Sequence, residues 1–251
     1  MHPDVVVDVG NSRIKWGRCA GSGIGDAASL APDDPSAWAA QLQKWRLTAG
    51  TNWVVSGVAP LRRDSLIRWL ESEKQIVHPL ASAKQLPLVV KLEHPDRIGI
   101  DRLLNGVAAN TRREAGRAAV IVDAGSAVTV DYVDSAGAFR GGAIFPGLRL
   151  MAQALNSYTA LLPFVEISGS PPPLPATSTT SAIEAGMYWA VVGGIRALVA
   201  EMTRGNPGSP MIFLTGGDAD ILAPALETNG TLWPQMTLEG IRIAACTMTA
   251  T

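Results

Sequence analysis

Two stretches of the chain place a carboxylate and a glycine directly after a run of branched apolar residues. The first is Val5-Val6-Val7-Asp8-Val9-Gly10-Asn11-Ser12-Arg13-Ile14-Lys15, and the second is Val120-Ile121-Val122-Asp123-Ala124-Gly125-Ser126. Each reads as a buried strand that ends in a turn. Glycine lets a backbone approach an anion closely, and turn amides are donors that phosphate can use. A carboxylate at such a turn repels phosphate, so its chemistry is to hold Mg²⁺ or its waters, which bridge phosphate oxygens. Asn11, Ser12 and Lys15 add further donors, and Thr215-Gly216-Gly217 makes a third turn of this kind. An Asp-x-Gly turn by itself also serves an ordinary hairpin, for local backbone reasons. The common phosphate loop is excluded. It runs from strand to helix through Gly-Lys-Ser/Thr, and no such tripeptide occurs here. Instead Ile14 and Trp16 alternate with polar residues, which predicts a second strand.

The other candidate chemistry lies at Gly99-Ile100-Asp101-Arg102. Leu103, Leu104, Val107 and Ala108 follow at helical spacing, so Asp101 and Arg102 stand in the first turn of a helix. A carboxylate there can accept a proton from a hydroxyl nucleophile, or it can simply complement the helix N-terminus. Around these points the pattern predicts a helix near 36–48, a strand in TNWVVSGVAP, a helix in RRDSLIRWLES and a strand in MIFLT. Leu148, Met151, Leu155, Tyr158 and Leu162 form another helical stripe after Pro146. Ser181 and Glu184 fit a capping box and predict a long helix from that point. Gly186, Gly193 and Gly194 cost that helix about 1 kcal/mol each relative to Ala, which points to close helix approach. The repeated strand–turn–strand predicts a duplicated α/β organisation, 1–115 and 116–251, with the boundary near Arg113–Arg117. A final helix from about Leu238 packs on one half or the other.

With 251 residues, 47% of them hydrophobic, the chain can bury one large core or two modest ones. A net charge of −1 gives no global field for nucleic acid or an anionic membrane. No apolar run approaches the ~20 residues of a membrane span, and Met1-His2-Pro3-Asp4 lacks signal-peptide character. Cys19 and Cys246 have no metal-like spacing, and His2, His78 and His94 have no partner at ligand spacing. A reduced, cytoplasmic protein is expected. The seven tryptophans are scattered, as core residues would be.

The motifs in order, DVGNSRIK (8–15), GIDR (99–102) with Asn105 and Ala108-Ala109, DAGSAVT (123–129), GGAIFPG with TALLP (159–163), TTSAIEAG and TGGDA, resemble the type III pantothenate kinase family over nearly the whole chain. That family is part of the actin/sugar-kinase/Hsp70 superfamily. The resemblance implies two ribonuclease-H-like, actin-like ATPase domains with an interdomain nucleotide cleft. It implies ATP-dependent phosphorylation of pantothenate to 4′-phosphopantothenate, the first step of coenzyme A biosynthesis, by a homodimer. Asp8, Val9, Gly10, Asn11, Ser12, Arg13, Ile14, Lys15 and Ser126 would bind ATP, with Asp8 near its Mg²⁺. Gly99, Ile100, Asp101, Arg102 and Thr179 would bind pantothenate, Asp101 as general base and Arg102 on its polar groups. Asp123 would hold a monovalent cation, K⁺ or NH4⁺. Thr179 would reach substrate from the neighbouring subunit. Three departures are visible: Ser126 where threonine is more usual, Ser178 where asparagine precedes the threonine, and Leu92, three residues before Pro95, where relatives often carry tyrosine. A related sugar kinase and a regulatory homologue without catalysis are the rival readings.

Overall fold

The computed structural model describes residues 1–248 apart from 168, 170, 207, 227 and 228. The valine run forms strand β1 (Val5–Val9), buried along its whole length. It turns back as β2 (Ile14–Ala20) and continues antiparallel into β3 (Gly23–Leu30). Helix α1 (Pro35–Trp45) follows, its first turn capped by the Asp34 carboxylate. Strand β4 (Asn52–Gly57) then pairs parallel with β1, helix α2 (Pro60–Ser72) crosses over, and β5 (Ile76–Pro79) pairs parallel with β4. The sheet order is β3-β2-β1-β4-β5. Trp16, Trp38, Trp45 and Trp53 share one core with Leu42, Leu66 and Leu70. The Trp16 and Trp53 rings meet edge to face at 4.8 Å, the arrangement that ring quadrupoles favour. The scattered tryptophans are thus a packing device. A short 3-10 turn at Pro95–Arg97 leads into helix α3 (Ile100–Arg112).

The second unit repeats the plan. Strand β6 (Ala119–Ala124) turns back as β7 (Ala127–Val133) and continues into β8 (Phe139–Pro146). Helices α4 (Leu148–Tyr158) and α5 (Thr179–Thr203) follow. Strand β9 (Met211–Thr215) then pairs parallel with β6; helix α6 (Ala219–Leu226) leads to the short β10 (Thr231–Leu232), parallel to β9. The order is β10-β9-β6-β7-β8. In both sheets the first strand has its hairpin partner on one side and a later parallel strand on the other. The repeated Asp-x-Gly pattern therefore reports a repeated fold.

The capping box of α5 sits earlier than Ser181/Glu184. Ser178 is the N-cap and its hydroxyl accepts the Ser181 N–H at 3.2 Å, so the helix begins at Thr179. α5 is long and apolar enough by composition to cross a membrane, although Glu184 and Arg196 interrupt its apolar run. Its Ile183, Met187, Tyr188, Val191, Val192 and Ile195 are buried in the core of the second unit. Gly186 and Gly193 face open space, and Gly194 lies near the Phe145 ring. The expected close helix approach at these glycines is therefore not present within the chain at the first two.

Helix α7 (Met236–Thr247) ends the described chain. The compact units are Met1–Arg112 joined by the segment from Gln235, and Arg113–Pro234. A division at 115/116 leaves α7 with the second half, whereas it packs on α3 and on the first sheet. Gly240 makes this possible: a Cβ there would lie 2.1 Å from the Leu104 carbonyl oxygen.

Candidate functional site

In the first unit the site is built at the C-terminal end of β1. Asp8 is only 9% exposed and lies opposite Lys15 on β2 and Ser56 on β4. The turn that follows is closed by the Gly10 N–H on the Arg13 carbonyl at 3.0 Å. It leaves Asn11, Ser12 and Arg13 exposed, with Lys15 half-buried behind them. Arg62 from α2 donates to the Asn11 carbonyl and pairs with Asp33 at 3.0 Å, so the turn is tethered. Ile14 and Val9 are buried strand residues, and they position the loop from below.

A second glycine pins this end of the sheet. Gly57 has φ +145°, and a Cβ there would lie 2.3 Å from the Val9 carbonyl oxygen. The next amide, Val58 N–H, donates to that same carbonyl at 3.1 Å. Val58 also reaches the other motif: a Cβ on Gly99 would lie 3.5 Å from its side chain and 2.5 Å from Asp101 Oδ1. Contacts through Gly57, Val58 and Gly99 therefore carry Asp101 to the same end of the sheet as Asp8. The Arg102 N–H donates to Asp101 Oδ1 at 2.8 Å and to the Gly99 carbonyl at 3.2 Å. This fixes the carboxylate over the first turn of α3, with Ile100 buried beneath it and Arg102 half-buried beside it. Leu92 is half-buried in the segment leading to that turn.

The corresponding end of the second sheet has a tighter turn. Only Gly125 and Ser126 separate β6 from β7, closed by the Gly125 N–H on the Ala127 carbonyl at 3.1 Å. Asp123 lies opposite Thr129 and Thr215, half-buried, with Oδ1 3.7 Å from where a Gly125 Cβ would be. Ser126 is exposed at the tip. Two more glycines converge here. The Gly147 N–H donates to the Ser126 carbonyl at 3.0 Å, and a Cβ on Gly147 would lie 2.2 Å from the Gly125 oxygen. Gly147 is the N-cap of α4, so that helix starts against the turn. Gly216, at φ +98°, lies equally tight on Ala124, and the Asp218 N–H donates to the Ala124 carbonyl at 2.9 Å. Burial pushes the Asp218 carboxyl above the usual carboxylate range. Thr179 is the exposed first residue of α5.

Gly57, Gly147 and Asp218 were not singled out from the sequence as site residues. Gly57 is a glycine at the end of a buried strand, and Gly147 follows a proline before a helical stripe; those are the signals that could have found them. Among the described residues no three His, Cys, Asp or Glu side chains gather as a metal cage. A cavity of about 390 Å³, bounded by Asp4, Arg18, Arg46 and residues 47–51, lies where β1 begins, away from this chemistry.

A family model described as type III pantothenate kinase matches residues 5–201. The type III pantothenate kinase of Alkalilimnicola ehrlichii is 38% identical over 94% of this chain and 95% of its own. Among solved structures, the ADPNP-bound activator of the 2-hydroxyisocaproyl-CoA dehydratase from Clostridium difficile matches with a TM-score of 0.56 at 12% identity, over 98% of this chain and 94% of that one. The inorganic polyphosphate/ATP-glucomannokinase from an Arthrobacter species matches with a TM-score of 0.51 at 14% identity, over 99% and 100%. The fold is that of the actin-like ATPases and sugar kinases. With a family match across most of its length and a relative covering nearly all of it, the chain belongs to the type III pantothenate kinase family.

Proposed function

We propose that the protein transfers the γ-phosphoryl group of ATP to the primary hydroxyl of pantothenate, with Asp101 as the base. The observation that carries this reading is the fixed Asp101 carboxylate at the sheet end that also holds Asp8 and the Gly10 turn. The hydroxyl oxygen forms a bond to the γ-phosphorus, the bond from that phosphorus to the β,γ-bridging oxygen breaks, and ADP leaves. The hydroxyl proton passes to Asp101. Arg102 holds the pantothenate carboxylate, for which a guanidinium fork is suited; Gly99 and Ile100 line that turn. In the first unit, the 9–15 segment supplies amide, Asn11, Ser12, Arg13 and Lys15 donors to phosphate. In the second unit, Ser126 and the glycine-rich turn do so. Catalysis then consists mainly of positioning and charge neutralisation.

The buried Asp8 carboxylate at this turn, with no metal cage among the described residues, suits an ion that arrives with the nucleotide, so Asp8 would hold Mg²⁺ through its waters. Asp123, beside the carbonyls of the second turn, is the donor for a monovalent cation, K⁺ or NH4⁺. The cations supply charge compensation at the phosphates. A homodimer is supported by apolar exposure in the second unit: Ile144, Leu150, Phe164 and Leu174 are open to solvent, and Tyr158 and Leu161 are 89% and 91% exposed. The outward Gly186 and Gly193 of α5 offer a flat surface to a second copy, and Thr179 at its start would reach the partner's pantothenate. Reduced cysteines and a cytoplasmic location accord with this chemistry. The test is a coupled ADP-release assay with pantothenate and a panel of sugars, with and without K⁺. Turnover confined to pantothenate supports the reading; turnover with a sugar and none with pantothenate overturns it.

A further inference from the structure

Asp101 is only as well placed as the helix that bears it, and α3 is held by α7 through a polar contact. The Thr237 hydroxyl donates to Asn105 Oδ1 at 2.9 Å. Asn105 is 0% exposed and Thr237 4%. Asn105 stands one turn after Asp101, so the two lie on the same side of α3. Next to this bond, Gly240 of α7 abuts the Leu104 backbone, where a Cβ would lie 2.1 Å from the carbonyl oxygen. Glu239, between Thr237 and Gly240, accepts the Ile24 N–H at 2.9 Å and Arg242 Nε at 2.8 Å, which ties α7 to β3 as well. A buried amide in a helix interior is costly unless it is bonded, and a leucine would fill the position with apolar area alone. What the polar pair adds is direction: apolar helix faces slide and rotate, whereas a buried hydrogen bond admits one register.

We propose that Asn105 and Thr237 are positioning residues for Asp101. Their bond, together with the Gly240–Leu104 backbone contact, sets the rotation and axial position of α3, and with it the point at which the Asp101 carboxylate meets the substrate hydroxyl. This rests on Asp101 being the base. Thr237→Val removes the hydroxyl at nearly constant volume, Thr237→Ala removes it without overpacking, and Thr237→Ser keeps it. With misplacement of about 1 Å able to cost 10²-fold, a partial slackening predicts a roughly tenfold lower kcat for the Val and Ala variants, with affinity for a non-hydrolysable ATP analogue within about twofold. Thr237→Ser retains the parent kcat. A purely structural role would lower the melting temperature of the Val and Ala variants and leave kcat alone, and that result overturns the inference. The decisive comparison is a cycle with Asp101→Asn. Once the base is gone its position no longer matters, so adding Thr237→Val to Asp101→Asn costs nothing more in kcat; a further tenfold loss refutes positioning. Full turnover in Asp101→Asn by itself removes the base reading instead.

Discussion

The neighbours Gly216 and Gly217 should respond very unequally to the same substitution. Gly216 has φ +98°, and a Cβ there would sit 2.3 Å from the Ala124 carbonyl oxygen and 2.4–2.5 Å from the Ala124 carbonyl carbon and nitrogen. An L-residue in that backbone region costs about 1–3 kcal/mol. Ala124 is central-strand backbone and has to retreat by about 1 Å to reach ordinary contact, an overpacking cost of roughly 1–3 kcal/mol. The two together make about 2–6 kcal/mol out of a typical 5–15. At 2–4 °C per kcal/mol for a chain of this size, Gly216→Ala should lower Tm by roughly 5–20 °C. Gly217 has no atom within 4 Å of a built Cβ and no positive φ, so Gly217→Ala should fall within about 0.5 kcal/mol of the parent. The assay is thermal unfolding followed by circular dichroism on both variants, with KM for ATP measured alongside. Because Ala124 carries the Asp123–Ser126 turn, Gly216→Ala should also raise KM for ATP. Equal Tm values for the two variants would falsify the argument that the close approach of β9 to β6 holds this end of the sheet.

Further expectations follow from the same structure. Burial raises the Cys19 thiol from 9.0 to about 11, with Arg242 opposing the shift. Its folded pKa lies above the unfolded one, so the fold favours the protonated thiol, and stability should decline as pH rises from 9 towards 11. The same burial slows Cys19: iodoacetamide at pH 8 should label the exposed Cys246 well ahead of the half-buried Cys19, and denaturation should remove the difference, as mass spectrometry of the native and denatured protein would read. Asp123→Ala should abolish stimulation by K⁺ while leaving the fold intact, and an unaltered K⁺ response would place the cation elsewhere. Tyr158→Asp with Leu161→Asp should convert a dimer to a monomer in analytical ultracentrifugation at micromolar concentration; an unshifted mass would move the interface off this face. Ser178→Ala, which removes the hydroxyl cap of α5, should cost about 1 kcal/mol in denaturant unfolding.

Much of the fold was legible because its strands end abruptly. The valine run at Val5–Val7 and the apolar run at Val120–Val122 are fully buried and stop at Asp-x-Gly, so both hairpins and their repetition could be read directly. The helix at Ile100 was legible from the spacing of Leu103, Leu104 and Val107, three residues buried in the structure. β3 was not, because Gly23–Leu30 is an exposed strand rich in glycine and alanine, with neither an alternating face nor a branched run. The N-cap of α5 lies three residues before the expected Ser181 because Ser178 and Ser181 cap each other, a pairing that lacks the glutamate of the usual capping box. The home of α7 depends on contacts across more than a hundred residues, from Gly240 to Leu104 and from Thr237 to Asn105. Sequence distance hides such contacts. The site divides in the same way: Asp8, Asp101 and Asp123 announce themselves by type and position, whereas Gly57 and Gly147 matter only because another segment's backbone occupies the space a side chain would need.

The proposed reaction depends on one carboxylate, and single-turnover phosphorylation of pantothenate by Asp101→Asn tests its role most directly. Asparagine keeps the shape of the side chain and removes its capacity to take a proton. The phosphoryl-transfer rate should fall by roughly 10²–10⁴, with affinity for an ATP analogue nearly unchanged. A variant that phosphorylates pantothenate at the parent rate would contradict the assignment and remove Asp101 from the mechanism.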